Sequence, residues 1–316
     1  IDPPLAWVFN FLINGNAALG RDIIFPHGPL AFLMYPLPGS GNLWLTIAFH
    51  LLLRCFLAFS LLKLASDQKE HHWIIAILAT VLLLIVNDLL LTMLQIVILS
   101  YVIFFERRNI LWLFPAFVLT SLAVYIKAFV GITSHIVTAT FAAIMIYRVF
   151  AGLESRYRLL MFLIIPFLIL LFWVLLYGNA DGLVGYFMGM AQLAGDNSAA
   201  VALYPEINWW VTGSAIYIGL ILMLINSKRT TLLRFAILTA PALFAIWKYG
   251  MARQDFQHAS VFFVFVLFIL LVYNLLSQKG RALNAIASVA LIYLFYLTLQ
   301  KAYYYYQFNF IVRGVI

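Results

Sequence analysis

The chain has 316 residues, 66% of them hydrophobic and only 9% charged, with a formal net charge of +8 and a mean hydropathy of +1.04. Soluble domains are about half apolar and about a quarter charged, so a water-soluble globular fold, a disordered chain and a soluble nucleic-acid binder are excluded. The single cysteine, Cys55, lies in an apolar run and excludes an intrachain disulfide or a cysteine metal cluster.

Residues 3–19 read as an amphipathic helix lying in the membrane plane. Leu5, Val8, Phe9, Leu12 and Ile13 fall on one face, Asn10 and Asn14 elsewhere, and Trp7 suits an interface. Asp2 before Pro3-Pro4 suits a helix N-terminus, where it serves equally well as a simple cap. Residues 20–38, GRDIIFPHGPLAFLMYPLP, are punctuated by Gly and Pro around His27 and read as a structured loop. Arg21 and Asp22 within it are compatible with a local surface ion pair of little energetic weight.

Ten apolar runs follow: 43–65, 72–87, 89–105, 110–126, 131–149, 158–177, 208–226, 231–247, 260–277 and 282–299. In lipid each must be helical, because open strands leave backbone groups unpaired. A single helix over 72–105 would be about 50 Å long against a hydrocarbon core of about 30 Å. Asn87-Asp88 therefore reads as a turn between two spans. Residues 182–194 read as a second in-plane helix with Leu183, Phe187 and Met190 on one side, and Gly195–Ser198 as a turn. That whole segment reads equally well as a lid. The expected fold is an all-α polytopic membrane protein forming one membrane domain. It comprises an outer segment 1–42, spans in 43–177, an outer loop 178–207, spans in 208–299 interrupted by an outer loop 248–258, and an outer tail 300–316. Residue 1 is Ile and lies on the outer face, so an eleventh span with a cytoplasmic start is expected before it.

The basic residues give the direction of the spans. Lys63, Lys69, Arg107, Arg108, Arg148, Arg156, Arg158, Lys228, Arg229, Arg234, Lys279 and Arg281 fall on one side, which is twelve of the nineteen Lys and Arg, so that side is cytoplasmic. Asp2, Asp22, Asp88, Asp181, Asp196, Glu206 and Asp255 fall on the other, with both long connecting segments. Loops of that length carry function. The working face is expected outside the cytoplasm.

Residues 247–258, WKYGMARQDFQH, crowd Lys248, Arg253, Asp255 and His258 into one connection. Arg and Lys suit a phosphate, and a snorkelling interfacial charge network fits the same residues. Asp255 and His258 permit a metal pair, but no HxxxH or HExxH accompanies them, so no metal site is assigned. Lys127 ends a span and faces a phosphate or snorkels. Arg54 lies deep in its run and is either functional or bonded to carbonyls, Asn274 or His135. Tyr303 to Tyr306 read as an interfacial aromatic belt. The sequence contains no GxxxxGK[ST] and no GxSxG.

Three of these segments resemble a family. Asp2-Pro-Pro with its helix, and Gly20-Arg-Asp-Ile-Ile-Phe-Pro-His-Gly-Pro-Leu30, resemble the Asp-x-Ser-Trp helix and Gly-x-Asp-hydrophobic-x-Phe-Thr-Tyr-Gly-Pro-Leu stretch of bacterial membrane glycosyltransferases of the GT-C type. Lys248-Tyr-Gly-Met-Ala-Arg-Gln-Asp-Phe-Gln-His258 resembles that group's Lys-x-Gly-Phe-Val-Arg-His-Asp-x-x-His. Tyr125-Ile-Lys-Ala-Phe-Val-Gly131 resembles a Lys-Phe-Thr-hydrophobic-Gly stretch. Pro4, Leu5, Pro26-His27 and Gln254 depart from the pattern and leave the acids in place.

The resemblance implies about eleven spans and sugar transfer from a polyprenyl-phosphate carrier on the outer, periplasmic face of a bacterial cytoplasmic membrane. It implies Asp2 as general base, with Asp22 the second candidate. Lys248, Arg253, His258 and Lys127 would hold the donor phosphate, and Asp255, Arg21 and His27 would support them. It requires no cofactor, though a divalent cation between Asp22 and Asp255 is compatible with it. The partners are the lipid-linked sugar, membrane lipids and other membrane proteins, not nucleic acid. A transporter or flippase lined by Arg54, and a non-catalytic scaffold subunit, are the alternatives.

Overall fold

The computed structural model describes residues 8–10, 26–35, 37–66, 77, 80–81, 88–200, 209–225, 230–253 and 256–277, without the side chains of 193–200, 209–210, 225, 252–253, 256–257 and 277. Among these residues the long elements are helices: α1 (Leu43–Ala65), α2 (Leu89–Arg107), α3 (Leu113–Ala123), α4 (Ala128–Phe150), α5 (Ile164–Tyr177), α6 (Leu183–Ala200), α7 (Trp209–Ile225), α8 (Thr230–Arg253) and α9 (Phe256–Ser277). Six stretches are long and apolar enough to cross a membrane: Leu43–Ala65, Leu89–Arg107, Ala128–Phe150, Arg156–Tyr177, Thr230–Met251 and His258–Leu276. This suits an α-helical polytopic membrane protein. The chain divides into two compact units, one of residues 1–57 and 88–200, the other of 58–87 and 201–316.

In the first unit α2 is the central helix. It is apolar all round, and every residue from Leu89 to Phe105 is buried, as a core helix requires. Asp88 starts it: its Oδ1 accepts the Leu91 N–H at 2.7 Å, an N-cap contribution of about 1 kcal/mol. The turn expected at Asn87-Asp88 thus has a helix start at its second residue, while Asn87 lies outside the described residues. α2 packs against α3 and α4, and α3 also against α5. With no hydrophobic drive between helices in lipid, packing and hydrogen bonds hold them together. The Tyr101 hydroxyl shares a 2.7 Å bond with Thr138, which is 3.1 Å from Thr120, and the Tyr101 ring stacks on Phe141 at 4.1 Å.

Three expectations change. The run 110–126 is not one span: a 3-10 turn, Ile110–Trp112, leads into α3, whose 11 residues cover about 16 Å. The chain leaves the helix at 124–127, where other segments take up its backbone groups. The turn expected at Gly195–Ser198 is absent, because α6 runs on to Ala200; local Gly, Asp, Asn and Ser preferences are weak priors against a continuing helix. The loop expected at 248–258 is mostly helical. α8 runs to Arg253 and α9 starts at Phe256. Gly250 accounts for the difference. A Cβ there would lie 3.0 Å from the His258 carbonyl and 3.3 Å from Phe262 Cβ, so the glycine marks a close approach of two helices, not a loop. The run 208–226 forms the shorter apolar α7. The runs 72–87, except for helical residues at 77, 80 and 81, and 282–299 lie outside the described residues.

In the second unit α8 packs against both α7 and α9, and α9 is buried from Phe262 to Leu276. Trp247 of α8 meets Tyr217 of α7 at 5.8 Å between ring centres.

Candidate functional site

Between α3 and α4 the backbone leaves the helix at 124–127. The backbone groups this break frees from residues 125 to 128 find partners. The N–H groups of Tyr125, Ile126 and Lys127 bond back to Leu122 and Ala123. The Ala128 N–H, which would otherwise complete a helical turn, donates to the Pro26 carbonyl at 3.0 Å. The Tyr125 and Ile126 carbonyls accept from Leu30 (2.7 Å) and Gly28 (3.1 Å), and the Val124 carbonyl accepts the Tyr186 hydroxyl at 2.5 Å. Non-helical backbone in a membrane protein persists only where protein or water satisfies it. Here the loop 26–30 and α6 do so.

That pairing makes His27 and Lys127 partners in an antiparallel bridge. The two residues come from segments about 100 positions apart and were both expected at the site. Gly28 is dictated by the contact: a Cβ would collide with the Tyr125 carbonyl and the Tyr186 hydroxyl. Ala31–Met34 form a 3-10 turn, and His50 Nε2 of α1 donates to the Leu33 carbonyl at 2.7 Å. Phe9 is buried against this loop, with its ring 4.8 Å from His27 and 5.7 Å from Tyr35, and Asn10 Nδ2 donates to the Tyr35 carbonyl at 3.3 Å. The described part of the expected 3–19 helix is therefore helical and packed on the loop. Its faces differ locally from the expectation, since Asn10 is buried and Val8 exposed.

Below the bridge lies an aromatic floor of Tyr125, Trp173 and Tyr186, with Val124, Ala128 and Met190. The Tyr125 hydroxyl donates to the Ile169 carbonyl at 2.6 Å and Trp173 Nε1 to the Asp181 carbonyl at 3.1 Å. Burial pushes both tyrosine pKa values up, so both hydroxyls stay protonated donors. Leu183, Phe187 and Met190 do share the packed face of α6, and Tyr186 falls on it by the same helical spacing. The bridge, the aromatic floor and the 178–183 connection thus gather at one end of the unit. They are the segments that the charge bias puts on one side.

The His27 pKa is lowered to about 3, first by burial and second by the Lys127 charge. The ring is neutral near pH 7 and too weak a base to take a hydroxyl proton there. It can orient a ligand or hold the loop.

In the second unit Lys248 is exposed near the end of α8, and the His258 ring packs 5.0 Å from Tyr249. Asp2, Arg21, Asp22 and Asp255, and the side chain of Arg253, lie outside the described residues. The described residues hold no group of three His, Cys, Asp or Glu side chains placed to bind a metal. Arg54 is half-buried within α1, and His135, one of its expected partners, bonds the Gly131 carbonyl of its own helix at 2.8 Å. No protein-family model, curated protein or solved structure matches the chain.

Proposed function

We propose that the chain transfers a sugar from a polyprenyl-phosphate carrier to an acceptor at the non-cytoplasmic face of a bacterial inner membrane, as a GT-C-type enzyme. The acceptor oxygen attacks the anomeric carbon, and the bond from that carbon to the phosphate oxygen breaks. A carboxylate, Asp2 or else Asp22, takes the acceptor proton. Polyprenyl phosphate leaves with its negative charge held by Lys127, Lys248, Arg253 and His258, with Asp255, Arg21 and His27 supporting them.

The observation that carries this reading is the pairing of the 26–30 loop with Lys127. It supports a phosphate site because the pairing holds the backbone of a half-buried lysine in place beside the loop, which preorganises its charge. Preorganised charge stabilises a leaving group at no cost of reorganisation.

The test measures transfer of labelled sugar from polyprenyl-phosphate donors in membranes holding the full chain. Asp2→Asn or Asp22→Asn abolishes transfer at unchanged protein level, and Lys127→Met lowers it by about 10²-fold. Transfer that survives both acid variants moves the base to Asp255, and survival of Asp255→Asn as well removes the carboxylate mechanism. Movement of the labelled lipid across the bilayer without transfer replaces this reading by transport, with Arg54 the residue to change next.

A further inference from the structure

At the other end of the first unit, three arginines surround one carboxylate. α4 ends in a Schellman turn: Gly152, with φ of +69°, donates to the Val149 carbonyl at 3.0 Å, and Leu153 donates to the Arg148 carbonyl at 2.8 Å. This turn folds Glu154 back over the helix end. Its Oε1 accepts from Arg148 Nη2 at 3.3 Å and from Arg108 Nη1, and its Oε2 accepts from Arg158 Nη1 at 2.6 Å. Arg108 reaches it from a left-handed C-cap of α2, with φ of 57°, the single non-glycine residue with positive φ among those described. An arginine in that conformation is held against its local preference.

The cluster is unbalanced. One carboxylate faces three guanidiniums, and Arg107 and Arg156 adjoin them against only Glu106. Glu154 and Arg148 are nearly buried, at 6% and 8% side-chain exposure, while Arg108 and Arg158 remain 40% and 37% exposed. Each guanidinium carries about five N–H donors, and a carboxylate offers about four acceptor sites. Because Arg108 and Arg158 bond oxygens of the same carboxylate, one phosphate reaches both. The flanking side chains are apolar and exposed: Leu111, Phe150, Leu153 and Tyr157, the last with Arg156 5.6 Å over its ring.

We infer that this end of α2, α4 and the Arg156–Leu163 turn is a binding site for an anionic phospholipid, its phosphate on Arg108 and Arg158 and its acyl chains against the apolar flank. A soluble phosphate would use the arginines and leave that flank unpaired. The lipid matches both. The excess of Lys and Arg on this side, read by the positive-inside rule, sets it against the leaflet that carries such lipids.

The test uses the full chain in zwitterionic nanodiscs, titrated with phosphatidylglycerol and followed by lipid retention in native mass spectrometry. Phosphatidylglycerol should be retained at least tenfold more than phosphatidylcholine, and Arg108→Gln with Arg158→Gln should remove most of that preference. Glu154→Gln, which removes the competing charge, should raise retention. A loosened fold would lower it, so the opposite signs separate binding from misfolding. Equal retention by the double variant overturns the site. Full displacement by millimolar inorganic phosphate overturns the lipid assignment in favour of a soluble anion.

Discussion

His27 is held in a place where it stays neutral, and that has a pH consequence. Its pKa falls from 6.5 to about 3 on folding. Between those values the unfolded chain binds a proton that the fold refuses. Stability is therefore complete above pH 6.5 and declines as pH falls toward 3. His27→Gln removes this contribution. The wild-type melting temperature in detergent should fall more steeply than the variant's between about pH 7 and about pH 4.5. Parallel curves would show that the ring stays in contact with water. His27 stood out in the sequence because glycine and proline bracket it. Its neutrality was not legible, because it depends on Phe9 and Lys127, which no spacing rule brings near.

At the scale of elements, the α3–α4 break rests on a few contacts that can be removed one at a time. Tyr186→Phe deletes the donor to the Val124 carbonyl and should cost about 1–3 kcal/mol, the penalty for a buried polar group left unpaired. Gly28→Ala forces a methyl into the Tyr125 carbonyl and should cost a similar amount through overpacking. Both should raise hydrogen exchange at 124–128 while leaving α2 protected. Uniform loss of protection across α2 would mean the break is not a separate cooperative unit. The sequence marked this place only by Lys127 between two apolar runs. Nothing at 124–127 is a helix breaker, so the boundary came out too late. The same limit misread 248–258 as a loop, because the role of Gly250 depends on a second helix. By contrast α1 and α2 followed from apolar length and the turn read at Asn87-Asp88, and the start and packed face of α6 from the spacing of Leu183, Phe187 and Met190.

For the whole molecule, the alternation of basic residues predicts which ends share a side, and the first unit is arranged accordingly. Loop 26–30 and residues 124–127 meet at one end, and Arg108, Arg148 and Arg158 at the other end of the same helices. α4 separates the two by its 23 residues, about 35 Å. Cys55 is the only cysteine, so Cys55→Ser gives a background for accessibility labelling. Ser40→Cys and Ser66→Cys then flank α1. In intact cells an impermeant maleimide should label the first and should reach the second only after permeabilisation. The reverse pattern would invert the topology and move the proposed transfer site to the cytoplasm.

The stitching of residues 26–30 to 124–128 also bears on how the protein is made. The loop is synthesised nearly a hundred residues before the backbone it will satisfy. When α3 and α4 enter the bilayer, two carbonyls and one N–H between them meet partners already synthesised in that loop, while the Val124 carbonyl waits for Tyr186. Insertion of this helix pair is therefore completed from outside the lipid, by a segment that must not have been cleaved, captured or misplaced in the interval. A chain shortened past residue 30 should still insert its apolar helices. It should then be recognised by membrane quality-control proteases at the 124–128 break, well before any loss of hydrophobic span.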